Sequence, residues 1–340
     1  MTKTELIEIL ESEEKETVEE NGEQKEVLKS DIFLKTINKR IAEEKKLKYP
    51  EGLRIVERFL GALFTDQMII LSGPPGTGKT SLPFAIADVI GAEKPILIPV
   101  QPNWTDNQDL MGYYNPVKNN NAGGYTTTPF LDAILKALQP ENRDKLFFVV
   151  LDEMNLAHIE YYFSTMLSIM ESEDKIIRLY SERLQTENCE VPSEIVLPDN
   201  LQIIGTLNMD ETTKGISPKV IDRSYILEIP GEIGKDKDLD KEDKISKVYE
   251  YPEGEFREWI KEKIELTPSF RLLSHYDLMK KRRFMDVDDF VVGKILPMIH
   301  DKNYESIPVL DDCKISNEKI DRMTVQQDEN GVKLDFWGTD

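Results

Sequence analysis

The sequence predicts an α/β protein: a five-stranded, mainly parallel sheet sandwiched between helices, followed by a smaller helical domain. Three observations carry this. Five short apolar runs, Met68–Leu71, Ile96–Val100, Leu146–Leu151, Leu201–Thr206 and Tyr225–Ile229, alternate with stretches of helical periodicity, as crossover units do when their sheet is buried on both faces. The first run is followed by Gly73-Pro74-Pro75-Gly76-Thr77-Gly78-Lys79-Thr80 and then by residues able to continue as a helix, the context a phosphate-binding loop requires. Finally, 340 residues exceed the size at which one hydrophobic core stops growing, so a second folded unit is expected.

Taken in order, residues 1–30 are dominated by Glu and read as an acidic mobile arm, with Asn21-Gly22 breaking any helix begun by Leu6, Ile7 and Leu10. Residues 31–66 hold two leading amphipathic helices. Ser30-Asp31 is the expected cap of the first, Phe33, Ile37 and Ile41 its repeat, and Leu53, Val56, Leu60 and Leu63 the repeat of the second. The nucleotide-binding core is expected over 31–230. Within it, Ile176–Tyr180 and Glu190–Leu197 have hairpin character and read as an insertion between the third and fourth strands. Residues 231–245, rich in Lys and Asp, form the expected charged linker. Phe256, Trp259, Ile260 and Ile264 then open a helical domain over 246–340.

The chemistry follows from residue type and position. In Gly73 to Ser81, glycines allow backbone N–H groups to face phosphate oxygens, Lys79 reaches the β and γ phosphates, and Thr80 offers a hydroxyl to Mg²⁺. The third strand ends in Asp152-Glu153, at the carboxyl end of the sheet where ligands of open α/β folds bind. There the first acid helps hold Mg²⁺ through water and the second takes a proton from an attacking water. A helix cap is the other use for such a pair. Past the fourth strand, Asn208 is the candidate to orient that water, although a turn also employs Asn.

These elements resemble the AAA+ superfamily, and within it the McrB-like branch, the motor subunits of modified-DNA restriction systems. The likeness runs from about Asp31 to Trp337. It rests on Gly73–Thr80, on Asp152-Glu153-Met154-Asn155-Leu156-Ala157 with the helix His158–Glu171, and on Gly205-Thr206-Leu207-Asn208 and Ser217-Pro218-Lys219-Val220-Ile221-Asp222-Arg223. Trp104-Thr105-Asp106, Asp109–Pro116, Lys294–Pro297 and Phe336-Trp337 belong to the same likeness. The resemblance implies a helical lid, a ring that is commonly a hexamer, and hydrolysis of GTP or ATP with Mg²⁺. It implies Arg223 as an arginine finger acting on a neighbour's triphosphate, and Arg271 as a lid arginine sensing phosphate in cis. An ion pair with Asp222 and a solvated helix face are the plainer uses of these two arginines. GTP is the favoured substrate, although Asn208-Met209-Asp210-Glu211-Thr212-Thr213 departs from the Asn-Thr-Ala-Asp form associated with it.

A formal net charge of -21 opposes a broad nucleic-acid face, so any DNA contact is local or made by a partner. The first thirty residues cannot build a reader of modified DNA, and no nuclease cluster is visible, which assigns cleavage to a separate nuclease subunit. Two cysteines, Cys189 and Cys313, have no paired spacing, and three histidines no ligand spacing. With no apolar run near the ~20 residues of a membrane span and no signal core, a cytoplasmic protein is expected. Trp104, Tyr113, Tyr114 and Tyr125 lie in the long polar stretch 101–128, where aromatics anchor a loop to its own domain more often than they face a pore or partner. Lys280-Lys281-Arg282-Arg283 is a basic cluster that suits either a solvated face or a DNA contact. Two other functions fit the same motifs: a MoxR-like ATPase remodelling protein partners, and a nucleotide-gated scaffold with little turnover.

Overall fold

A computed structural model of the chain describes residues 1–20, 23–47, 49, 54–63, 65, 67–121, 123–184, 190–208, 215–229, 253–281, 287–299, 303–304, 308–310, 313–328 and 331–337. The expected linker 231–245, the segment after Asn208 and the two arginines of the basic cluster fall outside them.

Helix α1 (Lys3–Glu11) leads into strands β1 (Lys15–Glu20) and β2 (Glu23–Leu28), then helices α2 (Lys29–Glu44) and α3 (Ile55–Ala62). Next come β3 (Met68–Ser72), α4 (Ser81–Ile90), β4 (Ile96–Pro99), α5 (Asn107–Met111), β5 (Tyr113–Asn115), α6 (Lys118–Asn121), β6 (Gly124–Thr126), α7 (Pro129–Ala137) and β7 (Phe147–Asp152). They are followed by α8 (Ile159–Tyr162), α9 (Ser164–Ile169), β8 (Ile176–Arg178), β9 (Glu194–Val196), β10 (Leu201–Leu207), α10 (Pro218–Asp222) and β11 (Ser224–Glu228). The rest holds α11 (Glu253–Lys263), α12 (Phe270–Lys281), α13 (Val287–Phe290), a π-helical turn Val291–Ile295, α14 (Leu296–Met298), β12 (Asn303–Tyr304), α15 (Lys314–Arg322), β13 (Thr324–Asp328) and β14 (Gly331–Asp335).

The five apolar runs are the five strands of one sheet, in the order β11-β3-β10-β7-β4. Parallel register pairs Ile203 with Val149 and Ile98 with Leu151, and the Met68 and Ile229 amides bond the Arg223 and Ser72 carbonyls at the two ends of β3 and β11. Every residue of β3 and β10 is buried, as is β7 up to Leu151, which is why these strands read as continuous rather than alternating apolar runs. β4, at the sheet edge, leaves Leu97 exposed. The expected insertion is the antiparallel pair β8–β9.

The chain divides into two compact units, Met1–Lys3 with Asp66–Ile70 and Lys79–Ser224, and Thr4–Thr65 with Leu71–Gly78 and Tyr225–Asp340. The first packs α7 through Phe130, Leu131 and Ile134, and α8 and α9 through Tyr162, Phe163 and Met166. Phe130 and Phe163 meet edge to face with ring centroids 6.4 Å apart. In the second unit Phe256 stacks on Tyr276, and both meet the Phe290 ring at a steep angle. Among its buried charges, Asp289 is fully buried, accepts from Arg54 at 2.8 Å and lies 3.8 Å from buried Arg58. The Tyr225 hydroxyl accepts from Arg58 and donates to the Asp289 carbonyl.

Three features differ from the sequence expectation. Residues 1–30, expected as an acidic mobile arm, hold α1 and the hairpin β1–β2, with Leu6 and Leu10 fully buried; two apolar residues a helical turn apart suffice to seat α1 despite the surrounding Glu. Helix α2 starts at Lys29 with Leu28 as its cap, and the buried stripe is Ser30, Leu34, Ile37 and Ile41 rather than one through Phe33. In the C-terminal part, helical as expected over α11 to α15, a three-stranded antiparallel sheet β12-β14-β13 also forms. Its signal is the alternation of buried Val332, Leu334 and Phe336 with half-buried Lys333 and Asp335.

Candidate functional site

The loop from Ser72 to Thr80 turns the chain out of β3 and into α4. Gly73, Gly76 and Gly78 have φ of +147°, +82° and +85°, conformations that side chains oppose. Gly73 also lies so close to the Ile229 carbonyl that a methyl group would collide with its oxygen. The Thr77 hydroxyl donates to the Pro74 carbonyl at 3.0 Å and closes the loop on itself. Lys79 follows, 7 % exposed. Burial holds its ammonium below the usual lysine range, while the carboxylates of Asp152 and Glu153 draw it partly back.

Asp152 ends β7, and its Oδ1 accepts from two hydroxyls, Thr80 Oγ1 at 2.8 Å and Thr206 Oγ1 at 2.7 Å. Thr206 uses the same oxygen to accept the Glu153 amide at 2.9 Å. That bond helps to hold Glu153 in the left-handed region, φ 54° and ψ 49°, a conformation costing a non-glycine residue about 1 kcal/mol. The turn is also held from behind, because the buried Tyr162 hydroxyl donates to the Met154 carbonyl at 3.0 Å and Gly205 leaves room for the Met154 thioether. Beyond β10, Asn208 Nδ2 donates to Glu153 Oε1 at 2.7 Å, and fully buried Asn155 donates through Nδ2 to the Asn208 carbonyl at 2.8 Å. Thr80, Asp152, Thr206, Glu153 and Asn208 are thereby one chain of hydrogen bonds across the ends of two adjacent parallel strands and the start of α4.

The residues fit a hydrated divalent cation: a threonine hydroxyl and a carboxylate already in mutual contact at the end of the glycine-rich loop are hard oxygen donors of the kind Mg²⁺ takes. Among the described residues no cluster of three or more His, Cys, Asp or Glu forms a separate metal site.

Arg223 is placed differently from a side chain reaching outward. It caps α10, with Nε donating to the Leu167 carbonyl at 2.9 Å, Nη1 to the Lys219 carbonyl at 2.6 Å and Nη2 paired with the Glu171 carboxylate. Arg271 lies on the first turn of α12 in the second unit, where its charge, with that of Lys294, bears on His275. The aromatic stretch is anchored within its own unit. Trp104 meets Tyr162 edge to face at 5.2 Å, Tyr180 lies against Tyr114 and Tyr125 with centroids 5.3 and 5.6 Å away, and the Tyr125 hydroxyl donates to the Gly112 carbonyl.

Two members of the network carried no role in the sequence reading. Thr206 is a polar residue near the carboxyl end of an apolar strand, and that position is the signal that would have found it; Asn155 lies in the turn three residues beyond the end of β7, where a polar residue is commonplace in sequence.

Residues 68–224 match the AAA domain of the dynein-related subfamily. That stretch contains the loop, both acids, Thr206, Asn208 and Arg223. The chain is 29 % identical over 199 residues to Midasin of Giardia intestinalis, covering 57 % of this chain and 4 % of that protein. It is 23 % identical over 172 residues to the type IV methyl-directed restriction enzyme EcoKMcrB subunit of Escherichia coli K12, covering 50 % of this chain and 36 % of that one. The chain thus spans well under two thirds of either relative. A solved structure of a candidate ATPase from Cytophaga hutchinsonii aligns over 74 % of this chain and 63 % of its own at 16 % identity and a TM-score of 0.37, a likeness too low to bear on function.

Proposed function

We propose that this chain is a ring-forming AAA+ nucleoside triphosphatase that hydrolyses GTP or ATP and so drives a separate nuclease subunit in the restriction of foreign or modified DNA. The observation that carries the hydrolytic part is the hydrogen-bonded chain Thr80–Asp152–Thr206–Glu153–Asn208, which joins the phosphate-binding loop to a carboxylate held ready to accept a proton. Loop amides and Lys79 bind the phosphates. Thr80 and Asp152 are the residues that would hold Mg²⁺, which when bound supplies charge neutralisation at the phosphate oxygens. Glu153 accepts a proton from the attacking water, and Asn208 fixes the carboxylate that does so. Asn155 and Thr206 hold these two in place without touching substrate.

The match to an AAA domain supports nucleotide hydrolysis and a ring, taken here as a hexamer in which Arg223 serves the neighbour's triphosphate and residues 246–340 act as a lid carrying Arg271. The relative named as a subunit of a methyl-directed restriction enzyme supports restriction as the setting and a further subunit as the partner, while the choice of GTP rests on the motif resemblance alone. A MoxR-like ATPase that remodels protein partners is the second reading, favoured by the same AAA match. A scaffold with little turnover is disfavoured by the intact Glu153–Asn208 contact.

Glu153→Gln keeps the shape and removes the base. The variant is expected to bind GTP or ATP with Mg²⁺ as the parent does while releasing phosphate at least a hundredfold more slowly, the low end of general-base effects. Hydrolysis at the parent rate would remove Glu153 from the mechanism. Assaying GTP against ATP, with and without the protein encoded beside this one, separates the two readings: stimulation by a nuclease subunit supports restriction, and its absence with a robust basal rate supports remodelling.

A further inference from the structure

Leu47 and Tyr49, which follow α2, lie beside the glycine-rich loop between β3 and α4. The chain turns at Lys46, with φ of 60°, to bring them there, and the Leu47 amide is tied back to the Ile41 carbonyl in the last turn of α2. Leu47 and Tyr49 then lie against Gly78, such that a methyl group on that glycine would come within 3.2 Å of Leu47 Cδ2 and 3.3 Å of the Tyr49 hydroxyl. Gly78 is the residue before Lys79, so the Tyr49 phenol oxygen stands beside the part of the loop whose amides are shaped for phosphate. That oxygen is buried, and among the described residues it has no hydrogen-bond partner.

A buried hydroxyl without a partner costs on the order of 1–3 kcal/mol, and a tyrosine used only as packing would be replaced by phenylalanine without that cost. Its two companions in position explain nothing of it: Leu47 is apolar, and the loop beside it offers glycine. Burial pushes the phenol up to about 12, so at neutral pH it stays a protonated donor rather than becoming an anion that would repel phosphate.

We infer that Tyr49 is a nucleotide-contacting residue, its hydroxyl donating to an oxygen of the sugar–phosphate part of a bound nucleoside triphosphate while its ring and Leu47 wall the loop at Gly78. This rests on the nucleotide-binding reading above. It also gives the segment between α2 and α3 a part in ligand binding that its apolar and charged composition does not announce.

The test is calorimetric titration of the full chain with ATP, GTP and inorganic tripolyphosphate in the presence of Mg²⁺, comparing the parent, Tyr49→Phe and Lys79→Ala. Tyr49→Phe keeps the ring and is expected to melt within a degree of the parent when unliganded, yet to bind nucleoside triphosphate about three- to tenfold more weakly, the effect of one hydrogen bond. If the loss persists with tripolyphosphate the acceptor is a phosphate oxygen; if it vanishes there the acceptor is on the ribose. Equal affinity of Tyr49→Phe and the parent, with Lys79→Ala clearly weakened, overturns the role of Tyr49 and leaves the nucleotide reading standing. A parent chain that binds none of the three ligands overturns that reading itself.

Discussion

The two glycines Gly73 and Gly76 show how unlike neighbouring positions of one loop can be. Both have positive φ, so any side chain meets backbone strain of about 1 kcal/mol. At Gly76 that strain is the whole effect, because nothing lies within 4 Å of an added Cβ. At Gly73 the added carbon runs into the Ile229 carbonyl oxygen, and this is backbone, whose amide is fixed by the bond to Ser72, so it cannot swing aside. Gly76→Ala is therefore expected to lower the unfolding midpoint slightly and to retain nucleotide. Gly73→Ala should displace the start of the loop, lose more than ~2 kcal/mol of stability and abolish nucleotide retention. Chemical denaturation and nucleotide titration of the two variants check the contrast, and equal behaviour would mean that the Gly73–Ile229 contact does not constrain the loop. At the same scale, the placement of Lys79, Thr80, Asp152 and Glu153 at one end of the sheet could be read from sequence because each stands at a fixed offset from a strand end. The importance of Thr206 could not, because it arises from a neighbouring strand supplying the residue opposite, and register is not written in one strand alone.

Between elements, the informative case is the junction of α9 and α10. Arg223 was legible as an arginine beside an acid before a strand, but its partner was not Asp222: the guanidinium reaches back to the carbonyls of Leu167 and Lys219 and to Glu171. Three intramolecular partners hold it 13 % exposed at the side chain. An arginine that serves a neighbouring protomer must give up at least the Glu171 pair, so Glu171 opposes the role proposed for Arg223. Removing the acid separates the possibilities. If Arg223 acts across protomers, Glu171→Gln should raise turnover per ring a few-fold with little change in melting temperature, and Arg223→Ala should depress turnover by ~10³ while leaving binding intact. If Arg223 is a strut, both variants should lose stability together and Glu171→Gln should gain no activity. Mixing Arg223→Ala with Lys79→Ala subunits adds a check, since recovered hydrolysis in mixed rings requires a finger from one protomer and a loop from the other.

For the whole molecule, the sheet was legible because a strand buried on both faces must be apolar throughout, and five such runs leave little choice of class. What was hidden is what lies in charged sequence: α1 and the hairpin β1–β2 rest on a few apolar residues among many Glu, and β13–β14 on an alternation only five residues long. The buried polar groups of the second unit were equally hidden, and one of them bears on stability in acid. His275 is 9 % exposed with Nδ1 unpartnered among the described residues, and burial, then the charges of Lys294 and Arg271, pull its imidazole down to about 3. An unfolded chain would protonate it near 6.5. Between those values the unfolded state binds the additional proton, so the folded state loses stability as pH falls from about 6.5 toward 3, by about 1.4 kcal/mol per unit at most. The net charge of -21 acts in the opposite direction, because protonating carboxylates relieves self-repulsion on the way down. Total stability against pH therefore mixes two signs, and a comparison resolves them. His275→Gln removes the titration and retains a polar side chain of similar reach. Urea unfolding at pH 7.5, 6.5, 5.5 and 4.5 is expected to give a parent that weakens relative to the variant by up to about 1.4 kcal/mol for each unit below 6.5, with a constant difference above it. Parallel curves across the whole range would mean that the imidazole takes its proton in the folded protein as easily as in the unfolded one, and that Lys294 and Arg271 are balanced by carboxylates close enough to admit a third cation.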